Sequence, residues 1–172
     1  MKTLLLMRHG KSSWKDSELT DIDRPLNKRG KKDVPEMGKL IRKEKLVPQR
    51  ILSSPAQRAR MSAEAVTGAM KFKGEVEYFD SFYMAEPQVY LEALHGLPDD
   101  VKRVMIIGHN PGLEGLLQIL SGRIEGLTTA AIACLEFKID HWSELGNETH
   151  GKLVKLWNPR DLRDKDEKKG KK

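Results

Sequence analysis

The sequence predicts a layered α/β fold, a three-layer α/β/α sandwich around a largely parallel central sheet. Three observations carry this. Strand-like runs at residues 3–7, 50–53 and 104–107 each break off at a polar residue or a glycine. Helical periodicities lie between these runs, and strands alternating with helices pack as a sheet between helical layers. No internal repeat or linker divides the body.

Taken in order, Thr3 to Met7 is a continuous apolar run ending at Arg8, the pattern of a buried strand. Residues 9–26 are polar, contain Gly10 and Pro25, and read as a long loop. Asn27 opens a helix of roughly 17 residues with Val34, Met37, Leu40 and Ile41 at helical spacing. Arg50 to Ser53 is a short strand. Ser54-Pro55-Ala56-Gln57 reads as a helix start, with Ser54 as cap, Pro55 at the first helical position and Gln57 completing a capping box. That helix runs to about Met70. Glu75 to Phe79 alternates as a strand, and Gln88 to His95 is a helix. Val104 to Ile107 is a buried strand closed by Gly108, and a helix follows from Gly112 to about Leu120. Two late strands are expected near 131–139 and 152–157.

A chain of 172 residues suits one compact domain that buries roughly 70% of its unfolded surface. With 38% hydrophobic and 33% charged residues, the composition is that of a globular chain. No apolar run approaches the ~20 residues of a membrane span, and MKTLLLM reads as a strand rather than a signal peptide. The single cysteine, Cys134, excludes an internal disulfide, reads as a core thiol and fits a cytoplasmic location. Of the formal charge of +6, half lies in the last 13 residues. Residues 1–159 are therefore expected to form the domain and residues 160–172 a charged, disordered tail. The remaining charge suits an anionic substrate better than nucleic acid.

In open parallel sheets the site lies beyond the carboxyl ends of the strands. That rule selects residues 8–16, 53–58 and 108–114. They hold Arg8-His9-Gly10, Arg58 and His109. Arg58 stands in the first turn of a helix, where a cation opposes the helix dipole at a cost of roughly 0.3–1 kcal/mol. An anion between the helix N-terminus and the guanidinium would reverse that penalty. Gly108 and Gly112 around His109-Asn110-Pro111 allow close backbone approach. Two arginines, two histidines and two helix N-termini at one sheet edge make a site for a tetrahedral dianion, which the arginine fork grips bidentately.

LLLMRHGKSSW, RPLNKRG, ILSSPAQRARMSAEA and VMIIGHNPGLEGL, spread over residues 4–117, resemble the histidine phosphatase superfamily and its phosphoglycerate-mutase-like fold. The short chain and Lys11-Ser12-Ser13-Trp14 most resemble the small phosphohistidine-phosphatase branch, the SixA type. The resemblance implies that His9 is a nucleophile forming a phosphohistidine intermediate. It implies that Arg8, Arg58 and His109 hold the phosphoryl group, with Ser12, Lys11 and Asn110 as further binding residues. No metal or organic cofactor is implied.

The chain departs from mutase-type members at Lys11 and Lys15, which argues against mutase activity. For the general acid the region 82–87 offers Glu86, which reads equally well as the first-turn acid of a helix begun at Pro87. His95, His141 and His150 show no metal-ligand spacing. Lys28, Arg29, Lys31 and Lys32 are either a solvated face or a rim that attracts anions. Trp14 either walls the pocket or contacts substrate. The expected partner is a phosphorylated protein bearing phosphohistidine or, alternatively, a small phosphorylated metabolite, with neither nucleic acid nor membrane involved. A non-catalytic phosphate-binding module is the third reading.

Overall fold

A computed structural model describes residues 1–146 and 148–171. Its sheet consists of β1 (Lys2–Arg8), β2 (Arg50–Ser53), β3 (Val76–Tyr78), β4 (Arg103–Gly108), β5 (Ile132–Phe137) and β6 (Lys152–Trp157), in the order β3-β2-β4-β1-β5-β6. The first four in that order pair parallel, and β5 and β6 add antiparallel. Side chains alternate across a strand, so Leu4 and Leu6 join Val104 and Ile106 in one core, while Leu5 and Met7 join Met105 and Ile107 in the other. Both faces being covered explains why β1 and β4 read as unbroken apolar runs.

Helices α1 (Lys28–Lys43) and α2 (Gln57–Met70) cover one face. Helices α3 (Pro87–His95) and α4 (Gly112–Ser121) cover the other. The three-layer sandwich is thus as expected. Asn27 caps α1 by accepting the Gly30 N–H at 2.9 Å. A β-carbon on Gly30 would strike the Lys11 carbonyl, so glycine lets α1 start directly under the loop after β1. Lys28, Arg29, Lys31 and Lys32 are all exposed.

Two expectations are corrected. The capping box at Ser54 and Gln57 does not form; Ala56 is the N-cap residue and no side chain caps α2. The Ser54 hydroxyl does accept the Ala56 N–H at 3.2 Å, but its nearest partner is His109. The tail expected to be disordered forms α5 (Pro159–Gly170). Pro159 sits at the first turn, Leu162 packs against the α1/α2 core, and Arg163 donates to the buried Asp33 carboxylate on α1 at 2.5 Å. Those contacts supply what composition alone lacks. Lys172, the last residue of that tail, lies outside the described residues.

β2, β4 and β1 are adjacent and parallel, with Arg8 opposite Gly108 and Ser53 opposite Ile107. The residues that follow them, His9, His109 and Ser54, therefore emerge side by side at one edge of the sheet.

Candidate active site

The His9 N–H donates to the Gly108 carbonyl at 3.2 Å, which extends the β1–β4 ladder by one residue. Its Nδ1 lies 2.7 Å from the Gly10 carbonyl oxygen. A carbonyl only accepts, so Nδ1 carries the proton and Nε2 keeps a free lone pair. The Gly10 N–H donates to Ser62 Oγ at 2.9 Å, and Ser62 donates to the Arg58 carbonyl at 2.7 Å, tying this strand end to α2.

His109 lies with its ring centroid 5.1 Å from that of His9. Its Nε2 is 2.6 Å from Ser54 Oγ. Ser54 is fully buried and its hydroxyl proton has no other acceptor among the described residues, so it is given to Nε2, which places the His109 proton on Nδ1. Nδ1 is buried and has no partner among the described residues, so it is a donor in need of an oxygen. Both rings are held neutral: His9 is pushed down to about 3 and His109 to about 4. Burial is the first cause in each case, and the neighbouring arginines add to it. Desolvation, rather than the flanking arginines, dominates.

Arg58 is only 4% exposed. It donates to the Asp21 carbonyl at 2.7 Å and to Asp21 Oδ2 at 3.1 Å. The anion that offsets its unfavourable place in the helix is therefore supplied by the chain itself. Asp21 also accepts from Arg24 at 2.9 Å and from the Tyr83 hydroxyl. These bonds, Tyr83's first, hold the Asp21 carboxyl down to about 2. Arg8 donates to the Leu127 carbonyl at 3.1 Å, and its Nε is buried without a partner among the described residues.

Arg8, His9, Arg58 and His109 line one cavity of about 310 Å³, together with Lys11, Ser12 and Asn110. Ser12 Oγ accepts from Arg24, and Asn110 donates to Glu114 at 2.7 Å and to the Leu127 carbonyl at 2.8 Å. Glu86 is not among the lining residues. It is the exposed N-cap residue of α3, makes no capping bond, and follows a turn that presents Met84 to the cavity instead.

Asp21, Arg24, Met84 and Thr129 also line the cavity and Tyr83 holds Asp21, positions with no strand-end or helical pattern to mark them in the sequence. Arg24 opens RPLNKRG, and its place in that motif was the available signal. Among the described residues, no three His, Cys, Asp or Glu side chains are grouped to hold a metal ion.

Residues 4–82 match the histidine phosphatase superfamily, branch 1. The chain is 32% identical over 153 residues to an uncharacterized chloroplastic protein of Arabidopsis thaliana, covering 83% of this chain and 70% of that one. This chain belongs to the histidine phosphatase superfamily. Its structure is similar to that of the putative phosphohistidine phosphatase SixA from Agrobacterium tumefaciens, with a TM-score of 0.79, 27% identity and coverage of 92% and 98%. It also superposes on the protein histidine phosphatase SixA complexed with tungstate, with a TM-score of 0.80 at 24% identity, covering 93% and 99%. This histidine phosphatase is of the SixA type, with the fold that the resemblance implied. Among the described residues, no helix of this phosphatase is long and apolar enough to cross a membrane.

Proposed function

We propose that this histidine phosphatase hydrolyses the P–N bond of a phosphorylated histidine in a protein, with His9 as nucleophile. The observation that carries the substrate choice is the state of the cavity's single carboxyl group. Among the described residues Asp21 alone supplies one, and it is held near 2, so it has no proton to give at neutral pH. An alkoxide, with a conjugate acid near the pKa of water at about 15.7, needs a proton as its P–O bond breaks. Imidazole, at about 6.5, accepts that proton beforehand and leaves as the neutral ring.

In the first step His9 Nε2 attacks phosphorus while the P–N bond to the leaving ring breaks. The ring departs with its electron pair on nitrogen, already carrying its proton on the other nitrogen. Arg8, Arg58 and the Nδ1–H of His109 hold the three equatorial oxygens, with Lys11, Ser12 and Asn110 as further contacts at the rim. In the second step water attacks phosphorus and the P–Nε2 bond breaks. Inorganic phosphate forms, the surplus proton leaves to solvent, and Nε2 regains its lone pair. The fixed tautomer of His9 supports its role. An intact nucleophile also favours catalysis over mere phosphate binding.

The test compares kcat/KM for a phosphohistidine peptide with that for a sugar phosphate, in the wild type and in His9→Ala. The peptide should be hydrolysed faster, and the variant should lose nearly all activity while staying folded. Acid-labile phosphate should be trapped on the wild type alone. Faster hydrolysis of the sugar phosphate would replace this reading with a metabolite phosphatase. Wild-type turnover by His9→Ala would remove His9 from the mechanism.

A further inference from the structure

The cavity floor is cationic and polar, yet two apolar side chains stand at its mouth. Trp14 is 77% exposed and Met84 is 52% exposed, and both line the cavity. Neither is a loose surface residue. The Arg24 guanidinium lies 3.2 Å from the Trp14 ring centroid. Arg24 is itself buried and fixed by Ser13, Asp21 and Ser12. One side of the indole is thus held by a cation that cannot drift, and the rest is open. Met84 has φ +49, a conformation that glycine adopts freely and methionine does not, and its sulfur lies 3.9 Å from Arg58. The backbone is strained at the position that presents this flexible, polarisable side chain to the mouth.

In-line displacement places the leaving group on the side of phosphorus opposite the attacking Nε2. His9 is 7% exposed at the cavity base, so the leaving group must project toward the mouth, where Trp14 and Met84 stand. We propose that Trp14 and Met84 form a clamp that recognises a flat aromatic leaving group, which makes them specificity-determining residues. Trp14 offers the ring a stacking surface that the Arg24 guanidinium on its other side already orients. Met84 closes on the ring with its thioether. For the phosphohistidine activity proposed above, on which this assignment of the ring rests, that ring is imidazole.

The test rests on pairs of substrates matched in the type of bond that breaks, one with a ring as leaving group and one without, and reads how the ratio within each pair changes between variants. Phosphoimidazole and phosphoramidate share a P–N bond; para-nitrophenyl phosphate and acetyl phosphate share a good oxygen leaving group. Trp14→Ala should lower the ratio of kcat/KM for the ring substrate over the ringless one about tenfold in both pairs, mainly through KM. Trp14→Phe should restore most of the ratio, and Met84→Ala should lower it about threefold. A ratio unchanged within twofold in Trp14→Ala would overturn the clamp. So would an equal loss on all four substrates, which would mark Trp14 as a support of the loop. If the wild type prefers a sugar phosphate to phosphoimidazole, the phosphohistidine reading falls. The para-nitrophenyl and acetyl phosphate pair still decides the clamp.

Discussion

At the scale of single residues, the two neutral histidines link the site to stability. In the unfolded chain an imidazole takes up a proton below about 6.5. In the folded chain His9 does so only near 3 and His109 only near 4. Between these values the unfolded state binds more protons, so stability rises with pH across the window and is lost as pH falls through it. For His9 alone the loss between pH 7 and pH 5 is about 2 kcal/mol. Urea midpoints at the two pH values should therefore drop more in the wild type than in His9→Asn. Arg58→Ala should slow turnover by on the order of 10²-fold or more, as loss of a preorganised charge donor does. The same change should release Asp21 and loosen the loop before α1, which limited proteolysis of that loop would detect. Ser54→Ala removes the group that sets the His109 tautomer. A net hydrogen bond of about 1 kcal/mol corresponds to a loss of several-fold in turnover, with Ser54→Thr retaining more activity than Ser54→Ala.

Elements carry a different set of consequences. Helix α5 touches the body through Leu162 and through Arg163 on Asp33. Arg163→Ala leaves the Asp33 carboxylate, 6% exposed, without its cation, and should cost about 1–3 kcal/mol in a denaturation experiment. Truncation after Pro159 should lower the melting temperature, yet leave turnover of a small substrate within about threefold, because the histidines and arginines of the cavity lie on other elements. Parallel strands β2, β4 and β1 act through position. They end in register, so three loops distant in sequence deliver His9, His109 and Ser54 to one edge.

Across the whole molecule, the sheet separates two cores of comparable dryness. Leu4 faces the α3/α4 side and Leu5 the α1/α2 side, and both are fully buried. Leu4→Ala and Leu5→Ala should each cost roughly 2–5 kcal/mol in equilibrium unfolding. A sheet wet on one face would make one of the two nearly neutral, so the pair of measurements tests the three-layer arrangement directly.

By itself the sequence determined the strands, the main helices and the quartet Arg8, His9, Arg58 and His109. Their signals are local: strand-like runs that end at a polar residue or a glycine, and short motifs placed just after those ends. Only the tertiary structure decided the rest. Asp21 opens a single 3-10 turn, Asp21–Asp23, and Arg24 closes it, in a polar stretch without longer periodicity, so no spacing marks a residue whose partners are 37 positions away at Arg58 and 62 away at Tyr83. Ser54 read as a helix cap because its neighbours favour one, while its closest bond goes to a ring 55 residues distant. Glu86 was the near carboxylate in sequence, but the turn at Met84 aims a different side chain into the cavity. The last 13 residues are too polar to order themselves, and α5 exists where Leu162 and Arg163 find the surface of α1 and its core. Local propensity is written along the chain, whereas partners brought together by strand register and loop closure are set by the packed fold.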